Sequence, residues 1–382
     1  MIPYGRQDIT AEDIEAVTRV LESDFLTQGP AVPRFERAVA AHVDVAHALA
    51  VNSATSALHI ACLALGLGRG DWLWTSPISF VASANCALYC GASVDFVDVD
   101  SATGNMSVSD LELKLEKAKV ENRLPKIVIP VHLCGQSCDM AGIADLASRF
   151  GFKVIEDASH AIGGRYGDDF IGSCRYSDIT VFSFHPVKII TTAEGGMVLT
   201  KDPDLAERMA LLRSHGITRD EARMDQASDG GWYYQQVDLG FNYRMTELQA
   251  ALGVSQINRL DAYVARRHEI ADRYDRLLEA IPVGFPARSP DAFSALHLYP
   301  IRVPAVMRKQ VFDKLREAGI GVNVHYIPIH LQPYYLAMGF RQGDYPAAEK
   351  YYAETISLPM FPTLTDQAQD QVVSAVSAAV AA

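Results

Sequence analysis

Lys188 is the residue whose surroundings most favour chemistry. It lies in the segment FHPVKIITTAEGG, among apolar and hydroxyl residues. Pro186 prevents a regular continuation of the preceding strand, and the pair Gly195 and Gly196 predicts a tight backbone. A single lysine in a loop is more often a solvated charge, but a desolvated lysine loses its proton and acts as an amine nucleophile. Lys188 is therefore a candidate for covalent chemistry and proton transfer.

Two further features stand before Lys188 in the chain. Asp157 ends an apolar strand in KVIEDASHAIG, 31 residues earlier. Alone, such an aspartate is as often a helix cap or a turn residue. The segment NSATSALH opens a predicted helix, where the N–H groups of Ala54 and Thr55, with the hydroxyls of Thr55 and Ser183, form a potential phosphate cradle. Alone, that segment is also an ordinary serine or threonine cap.

Taken together, the lysine, the aspartate and the cradle match the requirements of pyridoxal 5′-phosphate (PLP). This cofactor withdraws electrons while its ring nitrogen is protonated, which a carboxylate partner enforces, and a lysine holds it covalently. The sequence therefore predicts that Lys188 carries PLP as a Schiff base and that Asp157 pairs with the ring nitrogen.

The elements that must position these residues alternate between strands and helices from residue 51 to residue 200. Helices are predicted at residues 54–64, 81–89, 111–122 and 141–150, and strands at residues 71–77, 93–97, 126–131, 153–155, 179–183 and 196–200. This alternation is typical of an α/β protein with a mainly parallel sheet covered on both faces. Because ligands on such sheets bind beyond the carboxyl ends of the strands, we expect the site near residues 130–132, 157–160 and 183–188.

The second half of the chain is organised differently. Residues 218–243 lose periodicity and predict a long loop, whose aromatic residues Trp232, Tyr233 and Tyr234 are equally compatible with a functional surface or with core packing. A single amphipathic helix is predicted for residues 246–281. A proline-rich segment follows, and then strands at residues 298–303 and 321–325 alternate with helices, which predicts a smaller C-terminal domain.

Several motifs in order resemble the DegT/StrS-type family of PLP-dependent nucleotide-sugar aminotransferases. They are NSATSALH, TSPISFVASANC, VIEDASHAIG, FSFHPVKIITTAEGGM, LGFNYRMTELQAALG and VHYIPIH, and the resemblance extends over residues 2–362. It implies PLP-dependent transferase fold type I (aspartate-aminotransferase-like), with a seven-stranded large domain and a smaller α+β domain. We expect the large domain at residues 1–250, with an arm at residues 1–30, and the small domain at residues 251–382. It also implies a homodimer with shared active sites.

The resemblance also assigns roles to individual residues. It makes Lys188 and Asp157 catalytic and places Phe80 on the cofactor ring. His160 stands where most of the family has a glutamine near the phenolic oxygen of PLP. Ala54, Thr55 and Ser183 match the phosphate cradle, and Asn242 matches an asparagine that reaches the cofactor of the partner subunit. Since Ala54 replaces the usual glycine, we expect its φ to be negative.

A narrower resemblance concerns the substrate. The start PYGRQDITAEDIEAVTRVLESDFLTQGP and the histidine before Pro186 resemble aminotransferases of the pseudaminic acid pathway, which place an amino group on C4 of UDP-4-keto-6-deoxy-N-acetylhexosamines. This narrower resemblance also implies that L-glutamate is the amino donor. Alternatives are a C3 or C4 aminotransferase for another nucleotide-linked keto sugar and a non-catalytic PLP-binding module. The expected substrate contacts are Tyr4, Gln28, His185, His325 and Tyr326; Arg6, Phe25 and Thr27 are expected near the entrance.

The composition disfavours several other classes of protein. The net charge of −12 disfavours binding to nucleic acid or to an anionic membrane, and there is no stretch of about 20 apolar residues and no apolar signal core. We therefore expect a cytoplasmic protein. The six cysteines show no paired CxxC spacing, so we expect reduced thiols and no metal site. His325 and His330 lack a neighbouring carboxylate, and Pro328 prevents a helical face between them.

Overall fold

The computed structural model describes residues 1–381, in which fourteen strands form one large sheet and three small ones. The strands are β1 His47–Val51, β2 Trp72–Thr75, β3 Ser93–Phe96, β4 Ile127–Ile129, β5 Lys153–Asp157, β6 Arg165–Tyr166, β7 Asp169–Phe170, β8 Ile179–Ser183, β9 Gly196–Thr200, β10 Ile217–Thr218, β11 Gln235–Gln236, β12 Ala292–Phe293, β13 Tyr299–Arg302 and β14 Thr355–Leu358.

The large sheet has seven strands in the order β1-β9-β8-β5-β4-β2-β3. Pairing is parallel from β3 to β8 and antiparallel for β9 with both β8 and β1. Every residue of β4, β8 and β9 is buried, because helices cover both faces of the sheet. The predicted mainly parallel α/β sheet is confirmed, and the strand ends carrying Asp157 and Ser183 lie on adjacent strands.

Thirteen α-helices accompany these strands within residues 1–381. They are α1 Ala11–Leu21, α2 Ala31–Val43, α3 Ala54–Ala64, α4 Ala82–Tyr89, α5 Val108–Val120, α6 Met140–Phe150, α7 Pro203–Arg213, α8 Glu247–Ile257, α9 Leu260–Leu278, α10 Ala305–Glu317, α11 Pro333–Leu336, α12 Pro346–Glu354 and α13 Asp366–Val380. The four helices predicted between residues 54 and 150 are confirmed within three residues at each end. α3 and α4 pack against each other and both begin at the carboxyl edge of the sheet.

Two predicted elements are wrong. The single helix expected for residues 246–281 is divided into α8 and α9 at Asn258 and Arg259. The strand expected at residues 321–325 does not form. Its backbone makes isolated bridges instead: Asn323 pairs with Ser357, and Ile320 pairs with Ile2 of the N-terminal arm.

The C-terminal elements enclose their own apolar cluster. The second half of α9 contributes Ile270 and Leu278, and α10, α13, the β13–β14 pair and the segments that connect them supply the rest. α8 packs instead against α1 and α2. The predicted domain boundary at residue 250 falls within α8 and stays a prediction.

The aromatic loop at residues 218–243 lies on the surface. Only the short β10–β11 pair gives it regular sheet structure. Trp232 is 72% exposed and Tyr234 is 51% exposed. The interpretation of these rings as part of the hydrophobic core is therefore wrong within a single chain. The loop therefore presents an apolar face to its surroundings.

Candidate active site

A cavity of about 490 Å³ opens at the carboxyl edge of the sheet. Asp157 reaches it from the end of β5, Ser183 from the end of β8, and Lys188 from the loop that follows β8. The first turn of α3 forms another part of its wall. Its size falls within the range of roughly 300–1,000 Å³ that is usual for small-molecule sites.

Lys188 presents its amine to this cavity. Within residues 1–381, the amine makes no hydrogen bond or ion pair. Burial lowers the pKa of Lys188 to about 8, although the carboxylate of Asp157 opposes the shift. With a pKa of about 8, roughly a tenth of the amine is unprotonated at pH 7, about 200-fold more than for an ordinary lysine.

Asp157 is almost fully buried and is held by two donors. The Ser83 hydroxyl donates to Oδ2 at 2.6 Å, and the backbone N–H of Ser159 donates to Oδ1 at 3.1 Å. The hydroxyl of Ser79 lies 2.7 Å from that of Ser83 and continues the chain. Hydrogen bonds of this kind fix the direction of the carboxylate. Sequence reasoning did not single out Ser83, although it lies in the quoted motif TSPISFVASANC.

The first turn of α3 forms the expected anion cradle. The Ser53 side chain caps the helix by accepting from the N–H of Ser56 at 3.1 Å, while Ala54 and Thr55 line the cavity. The N–H groups of a first turn lack intrahelical acceptors, so they are available to a phosphate. Ala54 is helical with negative φ, as expected.

Gly196, at the start of β9, allows this helix to approach the sheet. A Cβ atom built on Gly196 lies only 2.5 Å from the carbonyl carbon of Ser53 and 2.6 Å from the nitrogen of Ala54. Backbone atoms cannot yield to such a clash as a flexible side chain can. The glycine therefore sets the position of the cradle relative to the sheet.

A group of buried histidines forms the wall on the C-terminal side. His160 Nε2 lies 3.0 Å from the Tyr326 hydroxyl, and the ring of His160 lies 4.4 Å from that of His297. Burial lowers the pKa of His160 well below its usual value, and the charge of Lys188 adds to the effect. His160 is therefore neutral at physiological pH, with a buried Nδ1 that lacks a protein partner among residues 1–381.

His325 is also neutral and buried. Its Nδ1 lies 2.9 Å from the Ser357 hydroxyl, and its Nε2 lies 3.3 Å from the Asn323 amide. Burial, followed by the charge of Lys188, lowers its pKa to about 3. The ring of Tyr4 lies beside that of His325, tilted by 50° and with the ring centroids 5.5 Å apart. His297 and Asn323 line the cavity without having been predicted. His297 stands in a segment with no recognisable motif, whereas Asn323 comes directly before the quoted motif VHYIPIH.

The structure brings together eleven of the thirteen predicted site residues. The cavity is lined by Tyr4, Ala54, Thr55, Phe80, Asp157, His160, Ser183, His185, Lys188, His325 and Tyr326. Gln28 and Asn242 do not line the cavity of their own chain, and both are exposed. Their roles in a shared site stay a prediction.

The chemical groups that line the cavity are those that PLP binding requires. The cavity contains an amine with a lowered pKa, a buried carboxylate oriented by two donors, a helix N-terminus free to hold an anion, and a ring, Phe80, that is 60% exposed. Each group meets one chemical need of the cofactor: the aldehyde, the pyridine nitrogen, the phosphate and the ring face.

Comparison with known proteins agrees with this geometry. Residues 7–377 match the model of the DegT/DnrJ/EryC1/StrS aminotransferase family. The chain belongs to this family, and it is a PLP-dependent sugar aminotransferase of fold type I.

Two relatives extend over almost the whole chain. The spore coat polysaccharide biosynthesis protein SpsC of Bacillus subtilis is 41% identical, covering 98% of this chain and 96% of SpsC. The UDP-4-amino-4,6-dideoxy-N-acetyl-beta-L-altrosamine transaminase of Campylobacter jejuni is 37% identical, covering 94% of this chain and 92% of the relative.

Solved structures show the same fold. Helicobacter pylori PseC, an aminotransferase of pseudaminic acid biosynthesis, superimposes with a TM-score of 0.91 at 32% identity, over 100% of this chain and 99% of PseC. The PLP form of the sugar aminotransferase Spr1654 from Streptococcus pneumoniae superimposes with a TM-score of 0.89 at 29% identity, over 100% of this chain and 98% of Spr1654.

Residues 1–381 show neither a metal-binding cluster nor a membrane-spanning helix. No group of three or more histidine, cysteine, aspartate or glutamate side chains there is arranged to hold a metal ion. No helix there has both the length and the apolar character required to cross a bilayer.

Proposed function

We propose that this aminotransferase moves the amino group of L-glutamate to C4 of a UDP-4-keto-6-deoxy-N-acetylhexosamine, a precursor of pseudaminic acid. The reaction proceeds by a ping-pong mechanism in two half-reactions. The names of the Campylobacter jejuni relative and of Helicobacter pylori PseC support this substrate class. Tyr4, His325 and Tyr326 support it further, because they line the cavity at positions where the resemblance expects substrate.

Lys188 has two tasks in this proposal. When bound, PLP supplies an electron sink that stabilises negative charge on the carbon next to the transferred nitrogen. Lys188 would hold the cofactor covalently through its amine, and the same amine, once released, would serve as the proton donor and acceptor at the reacting carbon. Its pKa of about 8 suits both steps, because a general base is most effective when its pKa is near the working pH.

Asp157 and His160 tune the cofactor from two sides. The carboxylate of Asp157, held by Ser83 and Ser159, keeps the pyridine nitrogen protonated. His160 is neutral and buried, so it supplies a hydrogen bond near the phenolic oxygen without adding positive charge. The two residues therefore maintain the charge distribution that proton transfer by Lys188 requires.

The donors at the cavity wall suit a hydroxylated ring. Tyr4, Asn323 and Tyr326 offer hydroxyl and amide groups, and His185 stands exposed near Lys188. We assign Tyr4, His185, His325 and Tyr326 to the keto sugar. Neutral imidazoles at His325 and His160 match the uncharged hydroxyls of a sugar better than a second phosphate.

We further propose a homodimer in which each cavity is completed by the partner. Asn242 is exposed and does not line the cavity of its own chain, and it follows a loop that exposes Trp232, Tyr234 and Leu239. Exposed apolar patches of this kind mark interaction surfaces. Asn242 and Gln28 then contact the cofactor and the substrate of the other subunit.

The cavity that joins Lys188 to Asp157 and the α3 cradle is the observation that carries the aminotransferase chemistry. The decisive experiment is a visible absorbance spectrum of the holoenzyme before and after L-glutamate. We expect loss of the bound PLP band as the pyridoxamine form accumulates with 2-oxoglutarate. An unchanged spectrum would identify a non-catalytic binding module.

A second experiment tests which keto sugar is the substrate. The glutamate-loaded enzyme is mixed with the UDP-4-keto-6-deoxy-N-acetylhexosamine or with a dTDP-linked 4-keto sugar, and the products are resolved by mass spectrometry and NMR. We expect amination at C4 of the UDP sugar with at least 10-fold higher kcat/KM, about 1.4 kcal/mol of discrimination. A preference for the dTDP sugar would contradict the substrate assignment while leaving the aminotransferase chemistry intact.

A further inference from the structure

Arg267 on α9 is a buried cation that has no carboxylate partner within residues 1–381. Only 1% of its surface is exposed, and each hydrogen bond that it makes there ends on a backbone carbonyl. By contrast, Arg273 on the same helix donates to the carboxylate of Asp370 at 2.7 Å. Because a buried charge without a counter-ion costs free energy, the position of Arg267 indicates a specific role.

Arg267 connects two backbone segments that support the wall of the active-site cavity. Its Nη1 atom donates to the carbonyl oxygens of Leu296 at 3.2 Å, His297 at 3.1 Å and Met360 at 3.2 Å. Nη1 carries two hydrogens, so one of them is shared between two of these oxygens. The N–H of Met360 donates in turn to the carbonyl of Tyr4 at 2.9 Å. Arg267 therefore holds the backbone at His297 and, through Met360, at Tyr4, and both of these residues line the cavity.

The backbone that Arg267 holds has an unusual conformation. Leu296 has a φ of 49°, in the left-handed region that a non-glycine residue adopts only at a cost in free energy. Gly135 approaches this segment so closely that a Cβ atom built on it lies 2.9 Å from the nitrogen of Leu296 and 2.9 Å from the carbonyl oxygen of His160. The segments that carry His160 and His297 therefore meet at Gly135. Surrounding contacts must hold such a conformation, and Arg267 supplies one of them at the carbonyl of Leu296.

The imidazole rings of His160 and His297 lie beside each other. Their centroids are 4.4 Å apart, and the ring planes are tilted by 43°. The Tyr326 hydroxyl lies 3.0 Å from Nε2 of His160, and a hydroxyl that donates to Nε2 leaves the ring hydrogen on Nδ1. The Nδ1 atoms of both rings are buried and have no hydrogen-bond partner among residues 1–381. Nδ1 of His160 is therefore the donor left for a bound ligand.

The groups around His297 keep this pair of rings neutral. Burial lowers the pKa of His297 well below its usual value, and the nearby His160, Lys188, Arg267 and His325 act in the same direction. Burial also lowers the pKa of Arg267, to about 10, so the guanidinium remains charged at neutral pH. A positive charge therefore lies at the backbone of His297, next to two neutral imidazoles.

We propose that Arg267 is a positioning residue: its hydrogen bonds to the carbonyls of Leu296 and His297 keep the His297 ring against His160 and so direct Nδ1 of His160 toward the phenolic oxygen of PLP. This inference rests on the proposed role of His160 beside that oxygen. Arg267 itself does not line the cavity. Without it, the His297 segment is released, and the phenolic oxygen loses both a fixed hydrogen-bond donor and a nearby positive charge.

This loss changes the proton affinity of the bound cofactor. A hydrogen-bond donor and a positive charge near the phenolic oxygen both disfavour protonation of the nitrogen that joins PLP to Lys188. Removing Arg267 weakens both effects, so the pKa of that nitrogen should rise. The other titratable groups that line the cavity stay the same in the variants of Arg267; they are Tyr4, Asp157, His185, Glu194, His325 and Tyr326.

The test titrates the visible absorbance of the holoenzyme between about pH 6 and 10. We expect Arg267→Met to raise the pKa of the lysine-linked nitrogen by at least about 0.5 unit, a roughly 3-fold gain in proton affinity. Arg267→Lys keeps a charge and a donor nitrogen on a shorter side chain, so it should give a smaller rise. Arg273→Met is the matched control, because Arg273 lies on the same helix but pairs with Asp370. It should leave the titration unchanged, even if it lowers the melting temperature.

Two results would contradict the positioning role directly. They are an unchanged titration in folded Arg267→Met and equal shifts in Arg267→Met and Arg273→Met. If Arg267→Met does not fold, Arg267→Lys and His297→Ala decide the result. His297→Ala removes the ring from His160 without changing Arg267, so it should raise the same pKa. No shift in either of these two variants would overturn the inference.

His160→Ala separates this inference from the proposed function. A shift in His160→Ala without one in the Arg267 variants contradicts the positioning role alone. No shift in His160→Ala contradicts the proposed role of His160 and, with it, this inference. The conversion of the bound cofactor by L-glutamate reports on the aminotransferase reaction independently of both.

Discussion

The hydrogen bond from Ser83 to Asp157 provides a quantitative test of the active site. Ser83→Ala removes a donor 2.6 Å from a buried carboxylate and leaves the Ser159 N–H as the other donor. A hydrogen bond to a charged group contributes about 1.5–3 kcal/mol, which corresponds to roughly 10- to 150-fold. Because Asp157 is proposed to keep the pyridine nitrogen protonated, that loss should fall on the chemical step.

We therefore expect Ser83→Ala to lower kcat at least 10-fold in single-turnover assays with L-glutamate, with a smaller effect on KM. The matched control is Ser79→Ala, because the Ser79 hydroxyl contacts Ser83 at 2.7 Å and makes no hydrogen bond to Asp157. Its effect should be several-fold smaller. Equal losses in both variants, or full activity of Ser83→Ala in properly folded protein, would refute this account of Asp157.

Four further predictions concern the same site. Lys188→Ala and Lys188→Arg should abolish turnover and the visible absorbance of bound cofactor, and an active, coloured variant would contradict the assignment. Asp157→Ala should keep some PLP bound but lose most activity, whereas full activity would mean that the carboxylate is only structural. Since burial lowers the pKa of Lys188 to about 8, the amine fraction of the apo-protein reaches half at about pH 8 and levels off above about pH 9. Stopped-flow rates of PLP capture should follow this curve, and a rate that is flat between about pH 6.5 and 9.5 would count against it. Finally, mixing Lys188→Ala chains with Asn242→Ala chains should restore up to about a quarter of the wild-type activity. About half of the dimers formed at random are hybrids, and one of the two sites in each hybrid has both residues intact. No recovery in verified hybrid dimers would argue against shared sites.

The sequence predicted the parts of the site that follow from local patterns. Asp157 ends one recognisable strand segment and Lys188 lies in the loop after another. Because strand ends meet at one edge of a parallel sheet, their meeting could be expected. Ser83 was missed because its importance depends on the direction in which the first turn of α4 faces. His297 was missed because it reaches the cavity from the C-terminal region, which no local periodicity relates to the sheet.

The errors in the fold have similar causes. The apolar periodicity continues through Asn258 and Arg259, so it cannot reveal that the helix divides there. Tertiary contacts hold the break, since Arg259 donates to Asp13 at 2.6 Å and to the Tyr263 hydroxyl at 2.9 Å. The segment at residues 321–325 is apolar enough to form a strand. The backbone segments next to it pair with it only through isolated bridges, so no continuous ladder forms.

The pairing of the N-terminal arm has a practical consequence. The Ile2 N–H donates to the carbonyl of Gly319 at 2.9 Å, and the Gly321 N–H donates to the carbonyl of Ile2 at 2.6 Å. The arm thus connects the C-terminal elements to Tyr4 in the cavity wall. An affinity tag or a cleavage remnant placed before Met1 begins only three residues from Tyr4, a cavity-lining side chain. Kinetic constants should therefore be measured on protein with a native start or with the tag at the other end.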